Sequence, residues 1–559
     1  MPTDFFAANQ QMLDRAVQAI GERTYWSPFS ESPSPRAYGE TAGDEGKAAF
    51  EARKGRAFEL DVEEGGEAGR MVGDEVSPFG FPLEIRYSHR DAATLVRRAQ
   101  DALASWRERG PRVWVGVALE TLRRLNLRSF EMAYAVQHTT GQGFMMAFQA
   151  GGPHAQDRGL EAVAYAWQEM RRIPDEVIWE KPQGKQEPIR MAKRYAIVPR
   201  GVALVIGCST FPTWNSYPGL FASLATGNSV IVKPHPNAIL PLAITVEIAR
   251  QVLEEAGCNP DVVQLAPHDA ADHLPQSLAL DAAVRLIDFT GSTEHGNWLE
   301  RNARQAQVYT EKAGVNQVII DSADDVKAVA RNLAFSFALY SGQMCTAPQN
   351  IYVPRAGIET ASGHLSFDEV AQALAQALDK LMSDPARAVE ITGAIHDPAV
   401  LGRIDKARAT GLPVLSDSRA LEHPAFERAC VRTPLMLRAD ADTDRKLIAH
   451  EWFGPIVFVV ATDSTDASLA LAREIVNEHG ALTLACYSTR DAVLDQVRHV
   501  AEETGVSLSL NLCGAVFVNQ TAAYSDFHGT GANPAANAAL SDTAYVANRF
   551  RVVQTRWHV

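Results

Sequence analysis

Cys345 stands alone in "YSGQMCTAPQN", residues 340–350, between a helix-like and a strand-like segment. A cysteine in such a place is either a small packing residue or a nucleophile held in an open turn. The second reading needs help, because a free thiol with a pKa of about 8.5 is mostly protonated at neutral pH. Glu311, in "YTEKAGVN", ends an apolar run; a carboxylate there is a general base if burial holds its pKa up, and merely solvated otherwise. Lys233 closes "VIVK" and is followed by Pro234, His235 and Pro236, so its ammonium either meets a ribose or phosphate or is a plain strand end. In "IDFTGSTEHG" Gly291 turns a buried-type strand into a helix opened by Ser292. Free backbone N–H groups at such a start suit a phosphate, and an ordinary capped helix looks the same. "HEWFGPIVFVV" sets Glu451 and Phe453 before a Gly-Pro turn, which suits a ring-bearing cofactor with a sugar or a simple turn before a core strand. No GxxxxGK[ST] occurs, and no full GxGxxG lies near these strands, so the commonest ATP and dinucleotide signatures are missing.

The elements that position these residues alternate. Runs such as "GVALVIG", "NSVIVKP", "DVVQLAP" and "AVRLIDFTG" are apolar throughout, as strands covered on both faces are. Helical stretches lie between them, "PLAITVEIARQVLEEAG" being the clearest, with Gly257 as its stop. Strand and helix alternating at this spacing imply a doubly wound parallel sheet. The alternation restarts after Glu311 with "NQVIID", a long helix, the Cys345 turn and "QNIYVP", so a second α/β domain is expected from residue 311. Two lobes leave a cleft outside the carboxyl ends of the strands. Residues 88–180 read as helical, and residues 23–72, rich in Pro, Ser, Gly and acid, as an irregular arm.

Bulk properties narrow the classes. A chain of 559 residues exceeds a single core. The balance of 53 Lys+Arg against 67 Asp+Glu gives a net charge of −14, which argues against a nucleic-acid surface. No apolar run reaches membrane-spanning length and the amino terminus reads as an amphipathic helix, so the cytoplasm is the expected compartment. The six cysteines show no CxxC pairs, and neither a metal centre nor a disulfide framework is expected.

The order "FTGSTEHG", Glu311, "GQMCT" and "EWFGP" resembles the aldehyde dehydrogenase superfamily from about residue 75 onward. "CSTFPTWNSYPGLFASLATGN", "KPHPNA", "DFHGTGANPAAN" and "ANRFRVVQTRW" are most similar to the long-chain branch typified by the ring-opening aldehyde dehydrogenase of phenylacetate degradation (PaaN type). The resemblance implies an α/β fold with a Rossmann-type cofactor domain, a second α/β thiol domain and a small β oligomerisation element. Its divisions fall at 1–72 (helix and arm), 73–310 (cofactor domain, with a projecting hairpin at 186–200), 311–515 (thiol domain) and 516–559 (ending in an oligomerisation strand). It makes Cys345 the nucleophile that attacks an aldehyde carbon and Glu311 the base that admits water to the resulting thioester.

Lys233, His235, Pro236, Phe211, Gly291, Ser292, Glu451 and Phe453 become the cofactor candidates. With Pro236 where relatives often carry a ribose-binding glutamate, nothing repels a 2′-phosphate, and NADP is expected ahead of NAD. Relatives carry an oxyanion-binding asparagine before the Phe-Pro pair, where this chain has Thr210; Asn215 and the Thr210 hydroxyl are the alternative donors. Ala313 also departs from the usual glycine, while Gly314 is retained. The implied partners are a small-molecule aldehyde, CoA-linked and ring-derived by analogy to that branch, and a second copy of the chain, as a dimer or dimer of dimers. Two rivals are an acylating enzyme that hands the acyl group to coenzyme A, disfavoured by Glu311, and a catalytically silent nucleotide-binding homologue, favoured by Thr210. A cysteine hydrolase working without nucleotide is disfavoured because no histidine is visibly paired with the thiol.

Overall fold

Apolar runs become the strands of two α/β sheets in the computed structural model, which describes residues 3–60, 70–312, 314–519, 524 and 527–559. The principal strands begin with a hairpin, β1 (Glu176–Gln183) and β2 (Gln186–Pro199). Then come β3 (Val202–Ile206), β4 (Ser229–Lys233), β5 (Val263–Leu265), β6 (Val284–Gly291) and β7 (Gln307–Lys312). These last five form one parallel sheet in the order β5-β4-β3-β6-β7. β3 and β4 are buried along their whole length, as helices on both faces require. The chain runs from β3 outward through β4 and β5, then crosses to β6 on the other side. Ligand crevices of open parallel sheets form where strand order reverses in this way.

The second sheet contains β8 (Gln317–Ile320), β9 (Asn350–Pro354), β10 (Val414–Ser416), β11 (Leu435–Asp440), β12 (Ile456–Thr462), β13 (Thr483–Tyr487) and β14 (Ser507–Leu510). Its order is β10-β11-β12-β9-β8-β13-β14, with β10 antiparallel at one edge. β7 pairs with β6 from Gln307 to Lys312, so the division expected at residue 311 runs through a single strand of the first sheet. Ala313 lies outside the described residues.

The principal helices are α1 (Phe5–Glu22), α2 (Ala42–Arg53), α3 (Ala92–Leu127), α4 (Pro153–Arg171), α5 (Pro212–Ala225), α6 (Leu240–Glu255), α7 (Thr293–Asn302) and α8 (Val326–Ala338). α2 corrects the reading of residues 23–72 as an irregular arm. Its glycines disguise it, but Asp44 and Glu45 sit in its first turn, where the helix dipole favours them, and Phe50 is buried. Gly46 serves packing, since a Cβ there would lie 2.4 Å from Phe130 Cβ.

The chain closes with β15 (Phe550–His558), which pairs antiparallel with β2 from Phe550↔Pro199 to His558↔Met191. The hairpin expected at 186–200 is longer and begins at Glu176, so the last residues of the stretch 88–180 read as helical, Glu176 to Glu180, are strand, paired with β2. The ribbon leaves Ile178, Ile189, Val552, Val553 and Trp557 exposed. Its root is fixed by the buried Arg549, whose Nη2 and Nη1 donate to Asp288 on β6 at 2.6 and 2.8 Å.

Candidate active site

The Cys345 loop is held from several sides. After α8, Tyr340, Ser341 and Gly342 have φ values of 50°, 50° and 61°, a left-handed run that non-glycine residues keep only when their surroundings enforce it. The Tyr340 hydroxyl donates to the Thr140 carbonyl at 2.5 Å and the Ser341 hydroxyl to that of Thr392 at 3.0 Å. Asn316, just before β8, donates to the carbonyls of Cys345 and Ala347 at 2.8 and 3.1 Å. Its Oδ1 accepts from the Leu482 and Thr483 amides, both at 3.0 Å. Tyr340 and Ser341, before the thiol, are thus tied to Thr140 and Thr392, and the carbonyls of Cys345 and Ala347 to Asn316 at the root of the second sheet.

Glu311 reaches the thiol from the first sheet. It lies in β7 and is 1% exposed. The segment around Ala535 and Ala536 lies along β7: the Lys312 amide donates to Ala535 at 2.6 Å and the Asn537 amide to Thr310 at 3.1 Å. That docking carries His528 into the site. Its Nε2 is 2.9 Å from Glu311 Oε1 and 3.6 Å from Cys345 Sγ, and one donor atom from each of the three residues lies within 4.8 Å of the others. The Trp214 ring stands edge-on to the imidazole at 4.5 Å, with the Arg158 guanidinium 3.7 Å from the Trp214 centroid.

Local sequence patterns miss this histidine. The expectation that none pairs with the thiol is corrected by the structure: His528 is 183 positions from Cys345, and the pairing exists only because the C-terminal segment docks on β7. The one signal that could have found it was "DFHGTGANPAAN" itself, an apolar and glycine-rich stretch with one imidazole.

Electrostatics couple the three groups. Burial pushes the Glu311 carboxyl up, but the adjacent His528 ring and its hydrogen bond, Arg158 and the thiol together bring it below its ordinary value. Burial and the Glu311 charge drive the Cys345 thiol well above its usual range.

The cofactor candidates fall in two groups. Lys233 ends β4 and is buried, which brings its ammonium down to about 8. His235 is brought down to about 3 by burial, Lys233, His396 and His268, and Pro236 follows in the same turn. Gly291 ends β6, and Ser292 caps α7, its hydroxyl accepting from the His295 amide at 3.3 Å. Glu451 lines a cleft of about 610 Å³ together with Thr293, Gly314 and Lys446; burial raises its carboxyl to about 7. The carbonyl of Phe453 accepts from Arg403 at 2.7 Å.

A second cavity, of about 660 Å³, opens on Cys345 and His528 and is lined by Met145, Met146, Trp214 and Phe517. Phe211, a further cofactor candidate, lines this cavity, its ring turned edge-on to Tyr340 at 5.6 Å. Thr210 and Asn215 face a different sulfur: the hydroxyl is 4.0 Å and the amide nitrogen 3.6 Å from Cys208 Sγ. Asn215 Oδ1 is buried with no partner among the described residues.

A family model described as "Aldehyde dehydrogenase family" matches residues 85–522. The chain therefore belongs to the aldehyde dehydrogenase family and is an enzyme of that class. The crystal structure of an NAD-dependent aldehyde dehydrogenase from Burkholderia multivorans is 63% identical, with a TM-score of 0.97 and all of both chains covered. A 1-pyrroline-5-carboxylate dehydrogenase from Geobacillus thermodenitrificans is 23% identical over 76% of this chain and 78% of its own. A Sinorhizobium meliloti structure named as a putative methylmalonate-semialdehyde dehydrogenase complexed with NAD is 18% identical, with a TM-score of 0.69 over 88% of this chain and 95% of that one, and shares the fold. Among the described residues no helix is long and apolar enough to cross a membrane.

Proposed function

We propose that the enzyme oxidises an aldehyde to a carboxylic acid with a nicotinamide dinucleotide, through a thiohemiacetal and a thioester on Cys345. The observation that carries this is the meeting of the Cys345 sulfur with the buried Glu311 carboxylate, with one cavity on the thiol and another on Glu451. Cys345 Sγ forms a bond to the aldehyde carbon, and the carbonyl becomes an oxyanion. The Cys345 backbone N–H and Asn215, whose amide makes only a long contact to Cys208, are the donors for it; the Thr210 hydroxyl is the alternative. A nicotinamide dinucleotide bound in the cleft at Glu451 would supply the acceptor for the hydride that the thiohemiacetal carbon loses on becoming the thioester. Glu311 takes a proton from water as its oxygen attacks the thioester, and the acid departs with the thiolate regenerated.

Lys233, His235, Pro236, Gly291 and Ser292 would hold the adenosine and phosphate half, and Glu451 and Phe453 the nicotinamide half. The buried ammonium and the absence of a carboxylate at positions 235 and 236 support NADP; the name of the 63% identical Burkholderia multivorans protein supports NAD. The ratio of kcat/KM with NADP to that with NAD decides. For the substrate we propose a CoA-linked, ring-derived semialdehyde, on the branch resemblance and the largely apolar cavity at Cys345. The ribbon of β1, β2 and β15, with its exposed apolar residues, is proposed to join two copies of the chain.

Incubation with a CoA-thioester semialdehyde and NADP tests the reaction. Glu311→Gln should give one equivalent of reduced nicotinamide and a mass increment on the peptide carrying Cys345. Unchanged steady-state turnover of this variant would reject hydrolysis by Glu311, and coenzyme A-dependent release would favour the acylating reaction.

A further inference from the structure

His528 is the titratable group at the thiol that the reaction above does not use. It is 4% exposed, and its Nε2 faces both Glu311 Oε1 and Cys345 Sγ, at 2.9 and 3.6 Å. One ring nitrogen thus addresses the nucleophile and the base together. The two atoms left over, Glu311 Oε2 and His528 Nδ1, are buried with no partner among the described residues. A buried polar atom left without a partner is costly, and each of these two has room for a proton.

We propose that His528 and Glu311 act as one proton-holding pair for Cys345, with His528 the catalytic residue that makes the thiolate available. In the resting pair a hydrogen on Nε2 is donated to the Glu311 carboxylate. When the thiol ionises, its S–H bond breaks, the electron pair stays on sulfur, and the proton joins the pair at Oε2 or Nδ1. The pair passes from one negative charge to neutral, so the charge that opposed the thiolate is cancelled as the thiolate forms. The Nε2 hydrogen, within reach of both oxygen and sulfur, then supports the sulfur anion. Once the thioester has formed the pair gives this proton to solvent, and Glu311 is again a base for the attacking water. No redox partner beyond the nicotinamide is required.

The surrounding charges are consistent with this. Arg158 from α4 is the cation that acts on both Glu311 and Cys345, with Glu161 on the same helix. Asp157 lines the cavity with His528, and Cys208, itself raised in part by the Glu311 charge, acts on Cys345 as a further acidic group. Trp214 covers the imidazole edge-on.

The proposal rests on Cys345 being the nucleophile, and its test separates the two claims. The rate at which iodoacetamide alkylates Cys345 is followed against pH in the full chain, by mass of the peptide carrying it, for the wild type, His528→Ala and His528→Gln. In both variants the inflection should move up by about one unit or more, and the rate at pH 7 should fall about tenfold or more. Glutamine fills the space and keeps a donor toward Glu311 but holds no proton, so it decides the question if the alanine variant misfolds. A wild-type profile in the glutamine variant overturns the proposal. If Cys345→Ser still oxidised aldehyde, the nucleophile assignment itself would fall; an inactive Cys345→Ser with unshifted His528 variants removes only the role of His528.

Discussion

Two thiols, Cys208 buried and Cys345 half-buried, both lie near Trp214 and Phe211, and their surroundings differ in kind. Cys208 is met by neutral donors, the Asn215 amide and the Thr210 hydroxyl. Cys345 is met by an imidazole hydrogen-bonded to a carboxylate. Burial raises both thiols, so desolvation does not distinguish them. What distinguishes them is the hydrogen-bond partner that can take the proton: among the described residues Cys208 has only neutral donors, whereas Cys345 meets a coupled acid-base pair. Nucleophilicity in a buried cysteine therefore depends on the proton's destination more than on exposure.

Exchanging the thiols in turn gives the largest contrast. Cys345→Ser should lower turnover by about 10⁴-fold or more, and Cys208→Ser by less than about threefold, read as reduced-nicotinamide absorbance at saturating aldehyde. Comparable losses in both would erase the distinction. Asn215→Ala sharpens it from the Cys208 side. As an oxyanion donor Asn215 is worth about 10²- to 10³-fold in kcat, whereas a residue serving only Cys208 would leave kcat nearly unchanged.

Asn316→Ala tests how firmly the Cys345 loop is fixed. Two carbonyls and two amides lose their partner, and denaturant unfolding should show a loss of about 1–3 kcal/mol, together with a lower kcat at little cost in KM. The smallest effect concerns pH. Burial raises the Cys208 thiol in the folded chain, so the folded state holds that proton to higher pH than the unfolded one and stability falls as pH rises above the unfolded value. Cys208→Ser should lessen that alkaline decline by up to about 1.4 kcal/mol per pH unit, measured by unfolding between pH 8.5 and 10. A decline of wild-type slope would mean that Cys208 ionises freely in the fold.

Much of this architecture is written locally. Apolar runs bounded by glycine and proline specify β3, β4 and β6 because strands covered on both faces must be apolar throughout, and the chemistry-bearing residues at their ends, Lys233, Ser292 and Glu311, follow from where those runs stop. The isolation of Cys345 between helix and strand fits a packing residue as well as a nucleophile, and only the order of the motifs around it, through the family resemblance, singles it out. α2 and β1 are less legible: glycines in one and Pro182 with its charges in the other contradict local propensity, and contacts with Phe130 and with β2 override it. Phe211 adjoins the Thr210 position in sequence, and its ring packs edge-on against Tyr340 beside the cavity at Cys345, a placement no local pattern records.

What the sequence by itself determined is the alternation of elements and the family, because each is encoded in short runs of neighbouring residues, and the family resemblance names Cys345 and Glu311 as the candidate thiol and carboxylate. Only the tertiary structure decided that His528 stands between them and that Asn215 and Thr210 face Cys208. Those arrangements depend on a distant segment docking along β7 through backbone hydrogen bonds, and on the packing of α5, which no local pattern of residues records.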